Sequence, residues 1–224
     1  MPQKEFMRAR TIRSETLLKL FYAKGSIASV IGTTLFEAGM DFEACRLDFT
    51  KQEQSDPEFL KINPKGRVPA LATTHGILTE TGAILEYIAS VAPNAALTPS
   101  DPWEAAKLRE VTYYLASTMH VAHAHKLRGR RWASDAAALA HMTGEVPRTM
   151  SECCAFAESN FSLSPFVMGK NITVADPYLY TITTWLKGDG VDRSSYPKLD
   201  AFNAMMSARP SVQAARALEM FVDD

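Results

Sequence analysis

No apolar run in the 224-residue chain approaches the roughly 20 residues that a membrane-spanning helix needs. The first 16 residues, MPQKEFMRARTIRSET, also lack the apolar core of a secretory signal. Cysteine is scarce. Cys45 stands alone and Cys153 and Cys154 are adjacent, so there is no CxxC pair and no metal-ligand spacing. Neighbouring helical residues point about 100° apart, which argues against a bond between the adjacent pair. All three cysteines suit a reduced, cytoplasmic setting. A dominant charge is missing as well: 24 Lys and Arg against 25 Asp and Glu leave a formal net charge of −1. That balance gives no general attraction to nucleic acid or to a membrane surface, although KLRGRR, residues 126–131, is locally basic. What the chain does have is 46% hydrophobic residues, enough to bury a real core in one large domain or two small ones.

Residues 1–16 are polar and charged without a sustained period and read as a flexible or weakly docked extension. LLKLFY then reads as a buried strand, and Ile27, Val30, Ile31, Leu35 and Ala38 follow helical spacing until Gly39 supplies a stop. FEACRLDF, residues 42–49, alternates as a second strand, so a parallel βαβ unit with a right-handed crossover is expected. DPEFLKINP fits a short helix that ends before Pro64. VPALAT and HGILT are two short runs around a polar turn, consistent with an antiparallel hairpin, and Ile84, Leu85, Ile88 and Val91 mark a closing amphipathic helix. The spacing therefore predicts an α/β domain over 17–91 in the order βαβ-α-ββα. A proline-rich linker follows at 92–102, and an all-helical bundle is expected over 103–224.

Three segments carry chemistry. In KINPKGRVPAL, Pro69 cannot donate to a strand ladder, so it either opens a strand or forms a cis Val68–Pro69 bond in a tight turn that offers backbone groups to a ligand. In LTETGAILEYIA, residues 78–89, Glu80 and Thr81 stand where a strand gives way to a helix. They either cap that helix or hold an α-amino acid head, the carboxylate of Glu80 accepting from an ammonium while open N–H groups take a carboxylate. In NITVADPYLY, residues 171–180, Thr173 and Asp176 have capping-box spacing, and Val174, Pro177, Tyr178, Ile182 and Trp185 form one apolar face.

Taken together, NPKGRVPAL and LTETGAILEYIA resemble the thioredoxin-fold domain of the soluble glutathione transferases, with most similarity to the bacterial beta class. The resemblance spans about residues 18–217 and implies a thioredoxin-like N-terminal domain followed by the helical one. It implies that Val68 and Pro69 pair with the cysteinyl part of glutathione, that Glu80 and Thr81 hold its γ-glutamyl end, and that Lys51 approaches its glycine carboxylate. Thr173 and Asp176 match the family's buried capping motif, a structural role. The family usually forms a two-fold homodimer.

One family feature is missing. Where beta-class chains read YxPGxCS this chain reads FYAKGSIAS, which puts Ile27 on the cysteine position and Ala28 on the following serine. A free thiol of pKa about 8.5 is only a few per cent ionised near neutral pH, so an active member needs another donor to stabilise thiolate. Ser26 after Gly25 is the candidate, either as that donor or as a plain helix cap, with Tyr22 and Ser29 as alternatives. On the segment YYLASTMHVAHAHKLRGRRW, residues 113–132, His120 and His123 lie roughly 60° apart while His125 points away, so no metal site is expected. His120 aligns with a cleft histidine of the beta class, and Arg128, Arg130 and Arg131 either bring positive potential toward the anionic tripeptide or lie on the surface. Tyr113, Tyr114, His120 and His123 are expected to wall the acceptor site. The expected activity is addition of the glutathione sulfur to a small hydrophobic electrophile. The alternatives are glutathione-dependent thiol–disulfide exchange, which normally uses a cysteine near residue 27, and a non-catalytic binding or assembly module.

Overall fold

Four short strands, β1 (Leu18–Tyr22), β2 (Phe42–Arg46), β3 (Ala70–Thr73) and β4 (Gly76–Thr79), form one mixed sheet in the order β2-β1-β3-β4. The computed structural model describes residues 18–222, and the extension expected over 1–16 lies outside them. β1 and β2 are parallel, with Leu20 opposite Ala44, while β1–β3 and β3–β4 are antiparallel. A parallel pair requires a crossover. Helix α1 (Ala28–Glu37) supplies it, burying Val30, Ile31 and Leu35 completely, and Gly39 at φ 64 turns the chain out of it. β2 stops at Arg46 instead of running to Phe49, because the Asp48 carboxylate accepts the Thr50 N–H at 2.9 Å and opens a 3-10 turn, Phe49–Lys51. Helix α2 (Pro57–Ile62) follows, capped by Asp56 with a proline in its first turn, the position where a missing N–H costs least. The Val68–Pro69 bond is cis, as the sharper of the two sequence readings has it. The hairpin β3–β4 leads into α3 (Thr81–Val91).

Beyond residue 101 the described chain is helical: α4 (Pro102–Tyr114), a π-helical turn (Leu115–Met119), α5 (His120–Arg128), α6 (Ala136–Asn160), α7 (Ala175–Thr183), α8 (Pro197–Ser207) and α9 (Pro210–Ala217), with one isolated bridge, Phe166–Gly169. Every residue of α7 is buried, which makes it the axis of the bundle. Its start is held by Asp176, whose fully buried carboxylate accepts the Val167 N–H at 2.7 Å, the Thr173 N–H at 2.7 Å and the Thr173 hydroxyl at 3.0 Å. Half of the expected capping box is therefore present. The helix begins one residue later than that pattern needs, with Val174 as its cap residue, so the Thr173 hydroxyl donates to Asp176 and does not accept from the helix. Burial pushes the Asp176 carboxyl up to about 6 against the opposing pull of these hydrogen bonds.

The two halves share one apolar core, and polar contacts stitch them at the loop before α1. The Tyr22 hydroxyl donates to the Leu218 carbonyl at 2.6 Å, the Gly25 N–H to Met220 at 2.9 Å, and the Ser29 hydroxyl to Met220 at 2.7 Å. From α7's end the Trp185 indole N–H donates to the Gly25 carbonyl at 3.1 Å. Gly25 itself has φ 69, and a side chain there would collide with Val222. The residues that follow it, Ser26 and Ile27, are thus fixed from both sides.

Candidate functional site

A cleft of about 610 Å³ opens where the Val68–Pro69 turn, the start of α3 and the loop before α1 face the α4–α5 arm. Its floor is largely main chain. The β1–β3 ladder begins at Ala70, so the Val68 N–H and carbonyl have no partner among the described residues. That leaves one extended donor and acceptor for a ligand that pairs like a strand. Next to it Glu80 is held at φ 72, an unusual value for a residue with a side chain, and α3 has no side-chain cap. Thr81, Gly82 and Ala83 line the cleft, so the positive end of α3 faces it with first-turn N–H groups available. The Glu80 carboxylate is exposed and pairs with Lys65, which also donates to the Thr79 hydroxyl at 2.7 Å. A carboxylate, a hydroxyl and open N–H groups side by side fit both charges of an α-amino acid head. Beneath them lies Tyr178 of α7. It is 1% exposed, and burial pushes its phenol up while the neighbouring Thr81 side chain opposes that shift. Helix α7, whose start the Asp176 carboxylate holds, thus reaches the cleft from below through Tyr178.

The expected thiolate donor is placed differently. Ser26 is buried and does not line the cleft. Its hydroxyl donates to the Ala23 carbonyl at 2.7 Å and accepts from the Ala23 and Ala28 N–H groups, each at 3.3 Å, which locks the turn into α1. Of the alternatives, Tyr22 and Ser29 spend their hydroxyl protons on the C-terminal strap. Ile27 lines the cleft instead, and its N–H, at the positive end of α1, has no acceptor among the described residues. No sequence signal for side-chain chemistry could have shown this, because the group is backbone.

The wall is made of side chains. Tyr113, Ala116, His120, Ala124 and Arg128 line the cleft from one continuous helical arm. At 100° per residue, Ala116 and Arg128 would point roughly 120° apart on a regular α-helix. The π turn at Leu115–Met119, with its wider winding, brings them back toward one face. Two of the four expected wall residues are elsewhere. Tyr114 packs on Phe156 and Phe161, with centroids 4.5 and 6.1 Å away, because its neighbour Tyr113 already claims the cleft face. His123 stacks on Trp185 at 4.1 Å and bonds the buried Asp189 carboxylate at 2.7 Å, on the far side of the arm. Lys51 also lies away from the cleft, exposed and 3.5 Å from Asp48. Burial, then the charges of Arg128, His123 and Arg131, hold the His120 imidazole down to about 3. The sequence reading did not single out Asn63, Lys65, Arg67, Trp132 or the polar role of Tyr178, all of which line the cleft. Among the described residues no cluster of metal-binding side chains occurs, and no helix is long and apolar enough to cross a membrane.

Two family models match the chain: "Glutathione S-transferase, N-terminal domain" over residues 16–90 and "Glutathione S-transferase, C-terminal domain" over 132–217. Glutathione S-transferase GstA of Escherichia coli O157:H7 is 28% identical over 205 residues, covering 90% of this chain and 98% of that one. A glutathione transferase homologue from Sulfitobacter, solved with bound glutathione, is 47% identical with a TM-score of 0.90 over 92% of this chain and 100% of its own. The bacterial beta class glutathione S-transferase of Sphingomonas chungbukensis is 32% identical with a TM-score of 0.78, covering 90% of this chain and 98% of its own.

Proposed function

This chain belongs to the soluble glutathione transferase family, and we propose that it binds glutathione and joins its sulfur to a small electrophile with an apolar body. The observation that carries this reading is the floor of the cleft, where the unpaired Val68 backbone lies beside the open start of α3 with Glu80 and Thr81. In this reading Glu80 accepts from the γ-glutamyl ammonium, the Thr81 hydroxyl and α3 N–H groups take its carboxylate, and Val68 pairs with the cysteinyl peptide.

The sulfur then lies near Ile27, whose N–H donates to it. A hydrogen bond to a charged group contributes about 1.5–3 kcal/mol, enough to lower a thiol pKa by roughly one to two units. The Ser26 hydroxyl aims the turn that presents this N–H and is a positioning group. Ionisation sends the thiol proton to water. The thiolate forms the new C–S bond while the leaving group departs with its electron pair or, in an addition, the displaced pair is protonated by solvent. Tyr113, Ala116 and neutral His120 supply the acceptor's apolar surroundings. None of the three cysteines lines the cleft, so thiol–disulfide exchange would have no protein thiol there. Two-fold pairing is part of the same proposal, and the exposed Val91 and Trp103 on α3 and α4 supply apolar surface for it.

Calorimetric titration with glutathione, alongside ultraviolet absorbance of bound thiolate, tests the reading. It requires saturable binding with thiolate formed below the free thiol's pKa. Binding without thiolate would favour the passive module, and no binding would overturn the assignment of the cleft.

A further inference from the structure

Five arginines outside the cleft have carboxylate partners: Arg46 pairs with Glu219, Arg109 with Glu86, Arg148 with Glu145, Arg193 with Asp200 and Arg209 with Glu37. Three arginines of the cleft do not. Arg67 precedes the Val68 turn, Arg128 ends α5, and Arg131 follows in the next turn. All three line the same space, and none pairs with a carboxylate among the described residues. A helix C-terminus favours a cation, which accounts for Arg128 by itself. It does not account for Arg67, which comes from the other half of the chain and faces the same space. Like charges gathered there oppose one another: burial and then Arg67 hold Arg128 down, and burial, Arg67 and Arg128 hold Arg131 down. Lys65 is already matched by Glu80, the one carboxylate residue among the described residues that line the cleft.

We propose that the acceptor is an anion, an electrophile with a flat apolar body and one carboxylate or sulfonate head, held by Arg67, Arg128 and Arg131 opposite the sulfur site. This rests on the glutathione reading and narrows it. Glutathione's amino-acid head is matched by Glu80 and α3, so its glycine carboxylate is the remaining group that could claim one of the arginines. The others stay uncompensated until a second anion arrives. The apolar body has Tyr113, Ala116 and Trp132 as neighbours, with Trp132 half exposed at the rim. The chemical step is unchanged. The thiolate forms a C–S bond, and in an aromatic substitution the halide leaves with the bonding pair while no bond of the anionic head forms or breaks.

A matched pair of probes, 4-chloro-3-nitrobenzoate and its methyl ester, tests the proposal on the full chain. Binding of each is measured without glutathione by tryptophan quenching. Turnover is then measured with glutathione, each rate divided by the uncatalysed one. The carboxylate should bind about tenfold more tightly than the ester, the factor for one charge-assisted contact, and its normalised kcat/KM should lead by a similar factor. Arg128→Gln and Arg131→Gln should each shrink that ratio severalfold, and the double variant should bring it near one. Equal binding of the two probes would overturn the proposal. So would arginine variants that lose glutathione affinity while the carboxylate-to-ester ratio stays put, since that would assign the arginines to glutathione. The two readings separate cleanly. Arginine-dependent preference for the anion with no glutathione turnover keeps the anion site and removes the glutathione reading. Turnover of both probes at equal normalised rates, without preferential anion binding, does the reverse.

Discussion

The floor and the wall of the cleft are built from different material. The floor is backbone: the Val68 edge, the start of α3 and the Ile27 N–H, fixed by Pro69, Tyr178 and the strap from Trp185 and Met220. The wall is side chain, carried on an arm whose register is set by a π turn and whose cleft-lining Arg128 and Arg131 have no carboxylate partner among the described residues. Backbone groups cannot be substituted away, so on the proposed reading the floor is the part that keeps glutathione's shape. Side chains can change singly, so on the same reading the wall is the part that selects the second substrate. The comparison predicts that perturbing the floor's support costs stability or glutathione affinity, whereas perturbing the wall alters acceptor choice and pH response.

The largest effect is expected at the support. Asp176→Ala orphans the Val167 N–H and both Thr173 donors in the core. At about 1–3 kcal/mol for each unsatisfied buried group, partly relieved by relaxation, the loss should be roughly 2–5 kcal/mol in denaturant titration. Glutathione affinity of the folded fraction should be unchanged. Full stability combined with lost affinity would show that the motif acts in the site directly.

Glu80→Ala comes next. It should weaken glutathione binding by about 1.5–3 kcal/mol in calorimetry while the melting temperature stays close to that of the parent. Unchanged affinity would remove the amino-acid-head assignment from the floor.

The wall should show itself in acid. His120 titrates near 3 in the fold, below the ordinary 6.5, so the neutral ring is the form that folding favours. Its contribution is fully present above pH 6.5 and is lost as pH falls toward 3, by up to about 1.4 kcal/mol per pH unit. His120→Gln should flatten that part of the stability curve. An identical acid limb in both proteins would contradict the burial of His120 among cations.

How much of this was legible in the sequence follows the same division. The order of strands and helices could be read from periodicity. Pro69 and the Glu80–Thr81 step marked the floor, because turns and helix starts demand particular residues. β2 was overrun because the alternation of FEACRLDF continues past the point where Asp48 caps a turn. The wall was half legible. A regular helix cannot tell that Tyr113 rather than Tyr114 faces the cleft, and the π turn changes the facing of everything after it, His120 and Arg128 included. Ser26 invites both a donor and a cap reading because a hydroxyl is visible in a sequence, while the N–H of Ile27 is common to nearly every residue type.

The central claim is that backbone, not a side chain, activates the sulfur, and the thiol pKa of bound glutathione tests it most directly. Ultraviolet absorbance is followed against pH in the parent, Ser26→Ala, Ile27→Ala and Ile27→Pro. Ile27 has φ −61, close to the value proline imposes, so proline there deletes the N–H with little other change in backbone angle. Ile27→Ala should titrate with the parent, and Ser26→Ala should melt earlier, by about 0.5–2 kcal/mol, with its thiol curve in place. Ile27→Pro should raise the thiol pKa by about one to two units. Coincident curves for Ile27→Pro and the parent, or a shift in Ser26→Ala alone, would contradict the account.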